Sequence, residues 1–272
     1  MPSTSTRERR PGYDHTLALA ELSARDPRLG RLIERTGPFT LTLAHTLSPF
    51  EALLRSIIYQ QIHGKAAAAI HARLLASFAD PSGTHPSAQH LLDCPNEQLR
   101  QAGLSHNKAL AVRDLAAKTI DGTVPTLARI RRMADQDIID HLVQVRGIGR
   151  WTVEMFLIFR LGRPDILPTS DYGVRKGFAL TFQGLKPTTK VTPDLLPKPD
   201  VMERRAKRWH PWCSVASWYL WRACDLATED KKLTPSPKSA RTLKPAVPRP
   251  PVKSTLQRKT RASNPPAPLA SN

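Results

Sequence analysis

A tight turn with two glycines joins two segments of helical periodicity in the middle of the chain. The first segment has apolar residues on one face, at Ile138, Ile139, Leu142 and Val145. The second starts directly after Gly147–Gly149 and has an apolar face at Val153, Phe156 and Leu157. Glycines permit positive φ and let backbone N–H groups at a helix start approach an anion. Taken alone, the pattern fits an anion-binding turn and an ordinary helix corner equally well.

Helical periodicity covers most of the chain and predicts an all-α fold. Two short helices are expected between residues 14 and 35, with a break at Asp26-Pro27, and a long helix is expected from Pro49 through Ile62. Further helices are predicted at about 88–102, 108–119, 127–132, 135–145, 150–161, 172–181 and 213–227. Strand signals are almost absent. One brief strand is predicted from the alternation of Phe39, Leu41 and Leu43 with threonines.

The charge and proline content change near residue 231. Residues 231–272 contain ten Lys and Arg, no acidic residue and nine of the 25 prolines. This composition predicts a disordered basic tail that binds polyanions by charge or only aids solubility. The tail accounts for +10 of the net charge of +18, which leaves +8 on residues 1–230. Nucleic acid is therefore the favoured partner, while acidic proteins and membrane surfaces remain alternatives.

Several classes of protein are disfavoured by residue content. Cysteines are few, at Cys94, Cys213 and Cys224, so we expect no disulfide, zinc or iron–sulfur centre. Apolar runs stay well short of the ~20 residues of a membrane helix, and no apolar signal core follows the basic N-terminus. We therefore expect a cytoplasmic protein, associated with the nucleoid if it is bacterial.

The residues around the glycine turn carry a resemblance to a known family. The segment 143–152, with Pro168-Thr169-Ser170-Asp171 some twenty residues later, resembles the helix-hairpin-helix superfamily of DNA glycosylases. Trp151 and the segments 57–62 and 218–222 are similar to the 3-methyladenine DNA glycosylase II branch. The resemblance covers about residues 50–227. It implies a monomer that excises alkylated purines, of the 3-methyladenine type, from double-stranded DNA by base flipping and hydrolysis of the N-glycosidic bond.

The family resemblance also implies the domain organisation. Two all-helical lobes enclose a DNA-binding cleft. The hairpin lobe is expected at about 46–184, and the second lobe from 14–45 and 185–230. A flexible basic arm, 1–13, precedes this core, and the disordered basic tail, 231–272, follows it.

By its position after the second hairpin helix, Asp171 resembles the carboxylate that acts in catalysis in this family. Such a carboxylate stabilises the positive charge that develops on the sugar or activates the attacking water. From the local sequence alone, Ser170-Asp171 reads as a helix N-cap. The family usually has Gly-Pro-Asp or Gly-Asp at this loop, and Ser170 is a small departure from that pattern.

Bifunctional members of the superfamily have a nucleophilic lysine just after the hairpin, where this chain has Trp151. The resemblance therefore implies a monofunctional enzyme without lyase activity. Two rival hypotheses remain open. One is a non-catalytic DNA-binding protein that retains the hairpin, and the other is a glycosylase for deaminated or oxidised bases.

The resemblance assigns further residues to the base pocket, the wedge and the DNA contact. The expected base pocket consists of Trp151, Met155, Trp221, Trp218 and Tyr59. Of these, Trp218 is nearer to a core position by its spacing on an apolar helix. Gln61 is expected to fill the gap that the flipped base leaves, at the tip of the helix that starts at Pro49. The expected DNA contacts are Gly147, Ile148, Gly149, Arg150 and Thr152.

No cofactor is required by this hypothesis. Hairpins of the superfamily often hold a monovalent cation on main-chain carbonyls, which by position are those of Val143, Val145 and Ile148. The histidines show no spacing typical of a metal site.

Overall fold

The computed structural model describes residues 9–44, 48–78 and 86–233, and helices dominate these ranges. The α-helices are α1 His15–Arg25, α2 Pro27–Thr36, α3 Pro49–Tyr59, α4 Gly64–Ala76, α5 Ala88–Asp93, α6 Asn96–Gln101, α7 His106–Ile120, α8 Leu127–Ile130, α9 Asp135–Leu142, α10 Arg150–Phe156, α11 Tyr172–Phe182, α12 Pro199–Ala206 and α13 Cys213–Leu233. A π-helical turn, Leu157–Leu161, continues α10, and a 3₁₀ turn spans Pro193–Leu195. The prediction of an all-α fold is confirmed. The brief strand expected at residues 39–43 is wrong, because Leu43 makes only an isolated bridge with Arg9.

Two helix starts follow the signals in the sequence. Asp26 ends α1 and caps α2, where its side chain accepts the N–H of Leu29 and Pro27 occupies the first turn. Ser48 caps α3 in the same way, accepting the N–H of Glu51 at 3.2 Å. A short polar acceptor followed by proline therefore sets both starts.

Two predicted helices are interrupted. The helix expected at 88–102 divides into α5 and α6 at Cys94-Pro95, because proline disfavours helical φ and ψ in the residue before it. The helix expected through Ile62 ends at Tyr59, and Gln61 adopts a left-handed φ of 58°. Gln61 therefore lies in the turn between α3 and α4.

Two helices, α4 and α12, were not predicted from the sequence. The α4 helix is rich in alanine, which has a high helix propensity but gives no apolar periodicity to detect. The α12 helix is short and rich in arginine, and its start is marked by Pro199. Neither helix shows the wide apolar face on which the other predictions relied.

The helices form two packing groups that position the site. In one group, α1, α2, α11 and α13 pack together. In the other, α3, α5 and α6 pack on α7, and α4 packs on α3. The hairpin helices α9 and α10 join the second group through Asp114 of α7, which accepts the backbone N–H of Arg146 at 2.6 Å.

Helix α11, expected in the hairpin lobe up to residue 184, packs chiefly on α13. Gly177 explains the close approach, since a Cβ there would lie 1.9 Å from the carbonyl oxygen of Leu220. Helix α11 thus belongs to the same packing group as α13.

A buried ion pair joins the start of α2 to α12. Arg205 donates from Nε and Nη2 to the two carboxylate oxygens of Asp26 at 2.8 and 2.7 Å, and the Trp209 indole N–H donates at 3.0 Å. Burial raises the pKa of Asp26, but these hydrogen bonds outweigh it and leave the pKa below its ordinary value.

The two ends of the chain differ in what is described. Residues 9–13, expected in a flexible arm, pack on the core instead: Pro11 is buried and the ring of Tyr13 lies 5.7 Å from that of Trp212. Of the tail predicted to be disordered at 231–272, residues 231–233 form the end of α13, and the rest lies outside the described residues. Among the described helices, none combines the length and apolar character needed to cross a bilayer.

Candidate functional site

Asp171 lies at the start of α11 and accepts hydrogen bonds on both carboxylate oxygens. Oδ1 accepts the backbone N–H of Val174 at 2.8 Å, so the residue caps α11 as its local sequence predicts. Oδ1 also accepts the indole N–H of Trp221 at 2.8 Å, and Oδ2 accepts that of Trp151 at 2.8 Å. Donors from α10, α11 and α13 therefore fix the orientation of one carboxylate.

The three tryptophans expected in a base pocket have different surroundings. Trp151 is 45% exposed and its side chain lines a cavity. Trp221 is half-buried and packs on Phe159, with ring centroids 5.4 Å apart. Trp218 is buried among core rings, 5.0 Å from Phe39. Trp151 thus forms part of the cavity wall, while Trp221 contacts Phe159 and donates to Asp171.

The cavity lies between α3 and α10 and has a volume of about 660 Å³. This is within the range of about 300 to 1,000 Å³ typical of ligand sites. It is lined by Ala52, Ser56, Tyr59, Gln60, Gln61, Gly147, Trp151, Thr152, Met155, Phe156, Phe159 and Arg160. The expected pocket residues Tyr59, Met155 and Trp151 are thus brought together, and the expected wedge Gln61 lies at the same cavity.

Phe159 and Arg160 are among the six wall residues of the cavity that were not predicted from the sequence. Phe159 lies four residues after Met155 and eight after Trp151, so helical spacing could have indicated it. Arg160 contributes charge, and burial together with the nearby Arg55 guanidinium lowers its pKa. Both residues belong to the π-helical turn, and such turns are frequent at functional sites.

The turn after α3 is fastened to its neighbours. Lys108 of α7 donates from Nζ to the carbonyls of Ile58 and Gln60 at 2.6 and 2.9 Å. The side-chain amide of Gln60 donates to the carbonyl of Gly147 at 2.9 Å. Gln61, which is exposed and has positive φ, therefore projects from a turn held by both α7 and the glycine hairpin.

The hairpin exposes backbone on one side and buries side chains on the other. Gly147 has a φ of 79°, which favours glycine, and no side chain caps the first turn of α10 at Gly149. Gly149 and Arg150 are exposed, whereas the side chains of Ile148 and Thr152 are buried. Among the expected DNA contacts, Ile148 can thus present only main-chain groups, while Thr152 lines the cavity.

The carbonyls expected to hold a cation lie in this turn. That of Val145 accepts the N–H of Ile148 at 3.0 Å, which leaves it one lone pair. The adjacent carbonyl of Gln144 accepts a hydrogen bond from the Lys118 ammonium. The Gln144 carbonyl of this turn thus already contacts a positive charge, the Lys118 ammonium.

Comparison with known proteins decides the family. The model of the HhH-GPD superfamily of base excision DNA repair proteins matches residues 54–199, more than half of the chain. The chain belongs to this superfamily. The matched range includes the hairpin and Asp171 but ends before Trp221, which α13 supplies.

Relatives of this HhH-GPD protein confirm the predicted branch. DNA-3-methyladenine glycosylase 1 of Schizosaccharomyces pombe is 32% identical over 81% of this chain and 92% of its own length. A structure of the S. pombe 3-methyladenine DNA glycosylase in complex with abasic DNA matches with a TM-score of 0.62 and 32% identity, over 76% of this chain and 95% of that one. The crystal structure of a DNA-3-methyladenine glycosidase from Bacillus halodurans matches with a TM-score of 0.68 and 29% identity, covering 78% and 91%.

A buried carboxyl in the HhH-GPD core also escaped the sequence analysis. Glu154 follows Trp151 by one turn, and its Oε1 accepts the Arg150 Nε at 3.0 Å. Burial raises the pKa of Glu154, although Arg150 opposes that shift. Arg150 also donates to Gln136 at 3.2 Å. The arginine at the start of α10 is therefore held by two side chains beside the hairpin.

Proposed function

We propose that the protein is a monofunctional DNA glycosylase that excises alkylated purines of the 3-methyladenine type. The observation that carries this proposal is the Asp171 carboxylate, fixed by the indole N–H of Trp151 at the edge of an aromatic cavity. The protein belongs to a base excision repair superfamily, which agrees with this activity. The name of the S. pombe relative and the abasic DNA in its complex point to the same substrate class.

The carboxylate of Asp171 acts on the sugar. Hydrolysis of an N-glycosidic bond builds oxocarbenium-like positive charge, which a fixed negative charge stabilises without reorganisation. The same carboxylate can orient and deprotonate the attacking water. Its three N–H donors hold it in place, so little energy is needed to orient it during the reaction.

The pocket selects the base by charge and shape. An alkylated purine of this type is cationic, and the exposed face of Trp151 attracts it by a cation–π contact of ~0.5 to 2 kcal/mol. Met155, Tyr59 and Phe159 provide apolar walls. The cationic base is also a good leaving group, so one carboxylate suffices. Arg160, at the same wall, suits a phosphate of the flipped nucleotide.

DNA is bound through backbone and basic groups, and Gln61 fills the gap. The exposed N–H groups around Gly149 and the Arg150 guanidinium suit phosphate oxygens, which position DNA without reading sequence. Gln61 projects from the turn beside the cavity, where a wedge would replace the extruded nucleotide. Because unstacking a base costs a few kcal/mol, such a wedge stabilises the flipped state.

The residue after the hairpin argues against lyase activity. Trp151 occupies the position of the lysine of bifunctional members, and its N–H is committed to Asp171. Without that amine no Schiff base forms there, and the product is an intact abasic site.

The enzyme acts as a monomer, and its substrate is double-stranded DNA. Its location is wherever the DNA is, which in a bacterium is the cytoplasm and nucleoid. A monovalent cation on the carbonyls of Val143, Val145 and Ile148 would strengthen the hold of the hairpin on a phosphate, but no step of the chemistry requires it.

The proposal is tested by base release. The full-length protein is incubated with methylated duplex DNA, the released bases are separated by chromatography, and the DNA is examined for nicks before and after alkali. Release of 3-methyladenine with nicks only after alkali is expected. Binding without release would favour the non-catalytic alternative. Release of only hypoxanthine or oxidised bases from matched duplexes would favour the other glycosylase class.

A further inference from the structure

Three potential metal ligands from separate parts of the chain meet at the start of α13. They are Asp165, His210 and Cys213, and their ligand atoms all lie within 4.8 Å of one another. His210 Nδ1 is 2.7 Å from Asp165 Oδ2 and 3.7 Å from Cys213 Sγ. None of these residues belongs to the cavity or contacts Asp171 in any hydrogen bond described above.

The fold holds the two contributing segments firmly against each other. His210 and Cys213 lie three residues apart, at the end of the α12–α13 connection and the start of α13. Asp165 lies in the loop between the π-helical turn and α11. Ser214 fastens that loop, donating from its backbone to the carbonyl of Pro164 at 2.9 Å and accepting the N–H of Ile166 at 3.0 Å. The donors are therefore positioned by the backbone.

We propose that Asp165, His210 and Cys213 form a binding site for a divalent transition metal of the zinc class. A thiolate, an imidazole and a carboxylate are the three ligand types that Zn²⁺ accepts. Tetrahedral coordination at ordinary bond lengths separates S from N by about 3.6 Å and N from O by about 3.4 Å. The S to N distance already fits, and the His210–Asp165 pair must open by roughly 0.7 Å.

The exposure of the three side chains suits loading from solvent. Cys213 is fully buried, the Asp165 side chain is 30% exposed and the His210 side chain is 56% exposed. The imidazole can therefore turn to admit the ion, and water completes the fourth position. The two anionic ligands would balance the charge of a divalent ion. Arg25, a cation beside the cluster, is directed to the backbone carbonyl of His210 and to Glu21.

Binding exchanges a proton for the metal. On loading, the Cys213 S–H bond breaks, the S–metal bond forms and one proton leaves to solvent.

The site would act as a staple within the fold. The loop of Asp165 leads directly to Asp171, and the helix that begins at Cys213 carries Trp221. These two elements lie about 50 residues apart in the chain, and a metal bridge would hold them together. No zinc site was expected from the cysteine count and the histidine spacing, whereas this site needs only one thiol and one imidazole together with a carboxylate.

Cobalt is the probe that separates this proposal from a metal-free hydrogen-bonded cluster. Co²⁺ is titrated into the reduced full-length protein, and a sulfur-to-cobalt charge-transfer band and intense tetrahedral visible bands are expected to saturate at one equivalent. Cys213→Ser should abolish the charge-transfer band. Cys94→Ser, at another buried thiol between α5 and α6 and outside the cluster, should retain it.

A second readout uses an exposed ligand, so that misfolding does not confuse the result. Zn²⁺ should raise the midpoint of thermal unfolding of the wild-type protein. His210→Asn should remain folded without metal, since the His210 side chain is 56% exposed. It should bind Zn²⁺ at least ~10-fold more weakly, since even outer-shell changes cost that much. Absence of a charge-transfer band in the wild-type protein, or its retention in Cys213→Ser, would overturn the proposal. These readouts need no DNA, so they are independent of the proposed glycosylase activity.

Discussion

The indole N–H of Trp221 donates to Oδ1 of Asp171 at 2.8 Å, across 50 residues of sequence. The contact is possible because Gly173 leaves room, since a Cβ there would lie 2.6 Å from Cδ1 of the indole. Helix α13 thus takes part in the site through the orientation of the carboxylate, while Trp151 forms the face that a base would meet.

Trp221→Phe should lower base release without weakening DNA binding. The ring still packs on Phe159, but a hydrogen bond to a charged group, worth ~1.5 to 3 kcal/mol, is lost. We expect single-turnover release to fall by roughly 10- to 100-fold. Trp218→Phe, in the core, is the matched control and should change only the thermal stability. Wild-type rates for Trp221→Phe would mean that the carboxylate is oriented without α13.

Trp151→Ala should lower selectivity for cationic bases. Excision of 3-methyladenine should fall more than excision of neutral hypoxanthine, by ~0.5 to 2 kcal/mol, or roughly 2- to 30-fold. The lost hydrogen bond to Asp171 affects both lesions alike, so the ratio isolates the ring. Met155→Leu keeps an apolar wall and should leave the ratio unchanged. Equal losses on both lesions would contradict the cation–π account.

Replacing Gln61 with glycine should have opposite effects on stability and on activity. Its left-handed backbone costs ~1 to 2 kcal/mol for a non-glycine residue, so Gln61→Gly should raise the thermal unfolding midpoint or leave it unchanged. Base release should fall because no side chain fills the gap. Gln61→Asn tolerates the same backbone and keeps an amide, and should retain more activity. If Gln61→Gly releases bases at the wild-type rate, another residue is the wedge.

The pairing of Asp26 with Arg205 predicts a component of acid sensitivity. The folded pKa of Asp26 lies below its unfolded value, so the pair stabilises the fold above the unfolded pKa and loses this effect as pH falls through the folded pKa. Asp26→Asn should lower stability at pH 7 by ~3 to 5 kcal/mol and flatten the decline below about pH 4. Urea unfolding at several pH values checks this, and parallel curves for the two proteins would contradict it.

Local signals predicted much of the fold because they act within a few residues. Ser48-Pro49 and Asp26-Pro27 set helix starts, and the hairpin glycines set the turn at Gly147. Pro95 is the same kind of local signal, but the helix predicted at 88–102 did not take it into account. The alanines of α4 carried propensity without periodicity, and so left no apolar face to detect.

The assembled site depends on contacts that no local pattern records. Trp151 and Trp221 were predicted as pocket residues, yet their N–H groups converge on one carboxylate only because α10, α11 and α13 meet. The positive φ of Gln61 follows from how α3 and α4 are joined. Asp165 and Cys213 lie 48 residues apart and are neighbours only in the fold.

The most direct test of the account is the single-turnover rate of 3-methyladenine release by Asp171→Asn. The asparagine amide can still cap α11, but its NH₂ group faces the indole N–H of Trp151, so that two donors meet. The double variant Asp171→Asn with Trp151→Phe removes this conflict and serves as the stability control. We predict a loss of about 10²- to 10⁴-fold in both variants, with DNA affinity within about twofold of wild type. Release by a folded Asp171→Asn protein at the wild-type rate would contradict the assignment of Asp171 to catalysis.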